Sequence, residues 1–161
     1  TIREDVPDSP EGRATSAEES EIQDCKINSV KVLTPEGEEV TEVTPLTTLV
    51  LKMEVEVLVD DMEGHFGFAC MRSAEEPIAS FLTPNFEGIN HGPFHRGEIL
   101  TITLVVENIS MRIGEFYVLG GMADRSGLLW YESKFSKLLT IAANKGVGPI
   151  IMKSAWTVEQ N

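Results

Sequence analysis

Residues 47–59, TTLVLKMEVEVLV, alternate strongly between two kinds of side chain. Leu49, Leu51, Met53, Val55, Val57 and Val59 fall on one side of an extended chain, and Lys52, Glu54 and Glu56 fall on the other. A period of two predicts a strand with one buried and one solvated face, the usual pattern of an antiparallel sheet. Such a strand needs partners, and the rest of the chain supplies them. HFGFACMR (65–72) places Phe66, Phe68 and Cys70 inward and His65, Gly67, Ala69 and Met71 outward. EILTITLVVE (98–107) places Leu100, Ile102, Leu104 and Val106 inward. Further strands are predicted over 26–33, 77–83, 115–123, 128–133, 135–142 and 150–158, with a long loop over 84–97. In 26–33 the alternation of Ile27 with Val30 and Val32 is only loose. Eight to nine short strands with no long helical pattern predict an all-β fold, an immunoglobulin-like antiparallel β-sandwich.

Residues 1–24 differ in texture. They hold eight acidic side chains against two basic ones and no aromatic residue. This segment is expected to be a flexible acidic linker or tail, with a short helix at SAEESEI as the alternative, and the folded domain is expected to span 25–161. The net charge of −13 argues against nucleic acid or an anionic membrane surface as partner. Cys25 and Cys70 match no zinc or C-x-x-C spacing, and read as two lone thiols or a single disulfide.

No phosphate loop and no nucleophile elbow is present. His65, His91 and His95 have no metal-site spacing, so neither metal nor cofactor is expected. Asp60, Asp61 and Glu63 read as turn residues, and Asn108-Ile109-Ser110 fits a glycosylation sequon. No catalytic residues are expected. The informative stretch is GEFYVLGGMADRSGLLWYES (114–133). Phe116, Val118, Gly120 and Met122 alternate with Tyr117, Leu119, Gly121, Ala123 and Arg125. Trp130 and Tyr131 are neighbours in a strand, so one ring enters the core and the other faces outward. An exposed ring above small residues and beside hydrogen-bonding groups is a platform for the C–H face of a sugar. From face geometry the candidate ligand residues are Tyr117, Arg125, Trp130, Tyr131, Arg72, Asn85, His65, His91 and His95.

The runs INSVKVLTPEGEEV, PLTTLVLKMEVEV, HFGFACMR, HRGEILTITLVVENISMRIGEFYVLGGMADRSG and FSKLLTIAANKGVGPIIMKSAW resemble the C-terminal domains of the Wzt family. These are the ATP-binding subunits of the ABC transporters that export bacterial O-antigen polysaccharide. The resemblance covers residues 22–156, and the closing Gly146-to-Trp156 segment is its most telling part. It implies a non-catalytic carbohydrate-binding module that reads the capped non-reducing end of an O-antigen polysaccharide. It further implies a homodimer that exchanges C-terminal strands, and an ATPase domain upstream that works with a transmembrane subunit. The implied location is cytoplasmic, peripheral to the inner membrane. The rival readings are a generic immunoglobulin-like adhesion domain and a small β-sandwich glycan hydrolase, for which Glu54 and Glu56 are the available carboxylates.

Overall fold

The structure is a computed structural model that describes residues 23–81, 91–127, 129–142 and 145–159. The predicted acidic segment 1–24 lies outside these but for its last two residues. Ten strands are described: β1 Cys25–Leu33, β2 Glu42–Val43, β3 Leu49–Val57, β4 Met62–Ser73, β5 Glu76–Ser80, β6 His91–Phe94, β7 Ile99–Val106, β8 Gly114–Ala123, β9 Trp130–Phe135 and β10 Leu139–Ile141. They form two sheets. One has the order β1-β3-β7, and the other β2-β10-β8-β4-β5, with β6 paired to β4 and β9 to β8.

The strongly alternating stretch becomes the central strand of the smaller sheet. Its register builds apolar rows across three strands, Val32–Leu51–Leu104, Val30–Met53–Ile102 and Ile27–Val55–Leu100. Leu51, Met53 and Val55 are buried there. They pack against Phe68 and Cys70 of β4 and Phe116, Val118 and Met122 of β8, within one core cluster. Side-chain area removed from water on these inner faces is the main stabilising term of a sandwich.

The loose alternation of β1 has a definite cause. The β1–β3 register shifts between Ile27 and Ser29, so a β-bulge moves the buried set from Cys25 and Ile27 to Val30 and Val32. The bulge also turns backbone groups of β1 toward β9. Glu132 accepts a hydrogen bond from the Ile27 N–H, and the Lys134 ammonium donates to the carbonyls of Ile27 (3.3 Å) and Asn28 (3.0 Å). Two side chains of one sheet thus seal the edge of the other. Glu132→Ala leaves that N–H without its acceptor and is expected to cost about 1–2 kcal/mol, read as a lower urea midpoint at constant m-value.

Two expectations are corrected. The predicted loop 84–97 contains β6, whose His91 pairs with Gly64 and Phe94 with Met62 of β4. Gly92 and Pro93 mask it in sequence, but an edge strand tolerates a proline that lacks an N–H. The predicted strand 150–158 forms only the isolated bridge Met111↔Ile150, and residues 151–159 join no ladder among the described residues. This segment has apolar side chains at strand spacing but pairs with no strand among the described residues.

Cys25 and Cys70 are free and buried. Burial pushes both thiols up to about 12, and for Cys25 the Glu132 and Asp24 carboxylates add to the effect. The unfolded chain releases these protons above the ordinary thiol value of 9.0, whereas the folded chain holds them to about 12. Stability therefore falls as pH rises from 9 toward 12, by at most about 1.4 kcal/mol per pH unit for each thiol. Tyr131, also raised by burial, adds in the same sense. Urea midpoints at pH 8 and pH 10.5 test this, and Cys70→Ala is expected to flatten the slope. Neither thiol should react with a disulfide reagent at pH 8 until the protein is unfolded.

Candidate ligand-binding face

The outer face of the larger sheet carries the candidate site. β8 pairs with β4 over His65↔Ala123 to Met71↔Tyr117, and with β9 over Leu119↔Phe135 to Ala123↔Trp130. Alternation puts Gly67 and Ala69 of β4 beside Leu119 and Gly121 of β8 on one surface. The small residues make it shallow. Trp130 lies across it with 57% of its surface exposed. A methyl group built on Gly121 would overlap three carbons of the six-membered ring of Trp130, so only glycine lets the indole rest against the sheet. Beside the ring is a hollow of about 200 Å³ lined by Gly67, Ala69, Ser80, Phe81, Leu119 and Trp130. Tyr117 stands on the same surface, edge-on to Phe135 with ring centroids 5.8 Å apart.

Tyr131 goes the other way. Its ring packs against the core, and its hydroxyl donates to the Glu63 carbonyl at 3.1 Å. Here too a glycine makes room: a methyl on Gly64 would strike the Ala123 carbonyl oxygen and come within 3.3 Å of Tyr131 Cε2. Two glycines on adjacent strands, on opposite faces of one sheet, thus receive the two neighbouring rings. The pair splits between interior and exterior, as period-two geometry requires.

The remaining sequence-derived candidates divide. Arg125, in the β8–β9 turn, pairs with Glu63 at 3.1 Å. His65 falls on the outer side by alternation but is only 6% exposed, a correction to its reading as an accessible ligand residue. The turn covers it: His65 Nε2–H donates to the Arg125 carbonyl at 2.5 Å, and Nδ1 has no partner among the described residues. Arg72 pairs with Glu76 and lines a different hollow, between the sheets. His91 and His95 belong to the β6 side of β4, across that strand from β8. The His91 ring lies 4.6 Å from that of Phe66, and His95 sits 3.9 Å from Asp61. Asn85 lies outside the described residues. The structure thus brings Tyr117 and Trp130 onto one surface with Arg125 in the turn at its end, and takes Arg72, His91 and His95 elsewhere. Sequence reasoning missed Ser80, the last residue of β5, and Phe81 just after it, which close the hollow from that side. Their only signal was an edge strand too short to assign a face.

Asp60 and Asp61 serve the turn before β4, where the Asp60 carboxylate accepts the Arg96 N–H at 3.1 Å. Among the described residues no group of three His, Cys, Asp or Glu side chains is placed to hold a metal ion. No helix among them is long and apolar enough to cross a membrane.

No protein-family model matches the chain, and no curated protein matches it. Solved structures do. The C-terminal domain of Wzt superposes with a TM-score of 0.69 over 84% of each chain at 13% identity. A Niemann-Pick type C2 protein from Japanese carpenter ant superposes with a TM-score of 0.51 at 10% identity, over 73% of this chain and 92% of that one. At such identities the likeness is one of fold: the strand-derived β-sandwich is the architecture of both.

Proposed function

We propose that the domain is a non-catalytic carbohydrate-binding module whose outer sheet face receives the end of a bacterial O-antigen polysaccharide. The observation that carries this reading is the exposed Trp130 ring held against Gly121 beside a shallow hollow. A pyranose presents a patch of C–H groups on one side, which an indole face covers, and hydroxyls on its rim, which need polar partners. Ser80 supplies such a partner in the hollow beside the ring, and Tyr117 on the same sheet face and the Arg125–Glu63 pair in the turn offer others along a longer glycan. The sequence resemblance to Wzt C-terminal domains and the likeness of fold support the same substrate class. They also support a place beside an ATPase domain and a transmembrane subunit of an exporter. The uncovered C-terminal segment supports self-association through that segment.

Calorimetric titration with O-antigen fragments, with and without their terminal modification, tests the proposal. Preference for the modified fragment is the expected result. Equal affinity for both removes end-reading, and no binding to any fragment removes the glycan assignment. Gly121→Ala forces the indole off the sheet, so its affinity is expected to fall about tenfold, with little change in thermal midpoint.

A further inference from the structure

His65 is a buried polar side chain for which the binding face has no direct use. It lies on β4 with only 6% of its surface exposed. Its Nε2 sits 2.5 Å from the Arg125 carbonyl oxygen. A carbonyl only accepts, so Nε2 carries a proton, and in the neutral ring Nδ1 then carries the lone pair. That Nδ1 has no partner among the described residues. A buried polar atom left unsatisfied costs free energy, whereas an apolar side chain would fill the same space without that cost. The one bond the ring does make is therefore the feature that sets a histidine apart here.

That bond goes to the turn between β8 and β9. Glu63 precedes His65 by two residues, so both side chains leave β4 on one face. The Glu63 carboxylate pairs with the Arg125 guanidinium at 3.1 Å. Arg125 is thus held at its backbone by His65 and at its side chain by Glu63. The two side chains of the ion pair are 67% and 40% exposed, so solvent screens it and it holds the turn only weakly. The buried bond from His65 is the firmer of the two. Within the turn, the Asp124 N–H donates to the Leu129 carbonyl at 2.7 Å, and the Leu129 N–H donates to the Asp124 carboxylate at 3.0 Å. Those bonds shape the turn from inside, and the bonds from β4 fix where it lies over the sheet. The register links this to the ligand face. Ala123 pairs with His65 on one side and with Trp130 on the other, so the three form one cross-strand row. The turn above His65 leads directly into Trp130.

We propose that His65 is a positioning residue of the binding face: its Nε2–H ties the β8–β9 turn to β4 and so holds Arg125 and the base of Trp130 in place for the ligand. This rests on the glycan reading above and adds to it a residue that touches no sugar. A turn ordered before binding does not have to be ordered at binding, and affinity gains by that difference. His65 thus acts through the order of the turn, whereas Trp130 acts by direct contact.

Long-range proton–nitrogen NMR of the full wild-type chain reads which ring nitrogen carries the proton. A proton on Nε2 is expected, and a proton on Nδ1 alone overturns the proposal without any substitution. His65→Phe keeps a ring and loses the donor, while His65→Gln keeps a donor at a similar reach from the backbone. In the ligand-free His65→Phe protein the Arg125 and Gly127 amides and the Trp130 indole N–H are expected to shift and broaden, and in His65→Gln to return to their wild-type positions. Calorimetric titration with the terminally modified O-antigen fragment is expected to show an affinity about fivefold lower for His65→Phe, the worth of one neutral hydrogen bond, and largely restored for His65→Gln. Thermal melts check that both variants are folded. Unmoved turn signals in His65→Phe overturn the tie. Moved turn signals with unchanged affinity overturn its role in binding. A loss that His65→Gln does not restore overturns the hydrogen bond as its cause. If the wild type binds no fragment, the glycan reading falls, and the turn signals still decide whether His65 holds the turn.

Discussion

Trp130→Ala is expected to weaken glycan binding about thirtyfold while leaving the fold intact. The indole is more than half exposed and rests on a glycine rather than in the core. Its removal therefore opens no cavity and should change stability by no more than about 0.5 kcal/mol. Binding is another matter. A central aromatic anchor is commonly worth about 2 kcal/mol on truncation, and every 1.4 kcal/mol is a factor of about ten in affinity. Calorimetric titration gives the loss and a thermal melt gives the control. Should the variant instead unfold, Trp130 belongs to the framework.

The neighbouring residue is expected to behave in the opposite way. Tyr131→Ala removes a ring packed against the core and the hydroxyl bond to the Glu63 carbonyl. Full truncation of a buried aromatic costs about 3–5 kcal/mol, and this ring is half-buried, so about 2–3 kcal/mol is expected. Urea denaturation measures that cost. At temperatures where the variant remains folded, its glycan affinity should fall less than threefold. A Tyr131→Phe variant separates the two contributions: it keeps the packing and loses only the hydroxyl bond, so about 1 kcal/mol is expected.

How much of this was legible beforehand follows from the range of the forces involved. The central strand β3 announced itself because alternation is local: each side chain's face is set by its own position in the strand. The same parity placed Trp130 and Tyr131 on opposite faces of β9. Parity fails where an extra residue enters the ladder, and β1 is that case. Its loose pattern was the sign of a bulge, but nothing local could reveal that Glu132 and Lys134, more than a hundred residues later, would bond to it. His65 shows the same limit. Alternation assigns it to the outer side, yet the turn carrying Arg125 folds over it. The strand β6 was hidden because its pairing with Met62 and Gly64 outweighs a composition that reads as loop. Gly121 and Gly64 were visible as small residues, but their role as beds for two rings depends on the β8–β9 and β4–β8 registers. The hollow that Arg72 lines arises only when two sheets are stacked.

The central claim is that the outer face of the larger sheet, around Trp130, is where sugar binds. An amide and indole NMR titration of the full chain with the O-antigen fragment of highest affinity tests it most directly. The largest shifts are predicted for the Trp130 indole N–H and the backbone amides of Gly121, Ala69 and Ser80. Saturable binding that leaves those four signals unmoved, and shifts residues of β1, β3 and β7 instead, would contradict it.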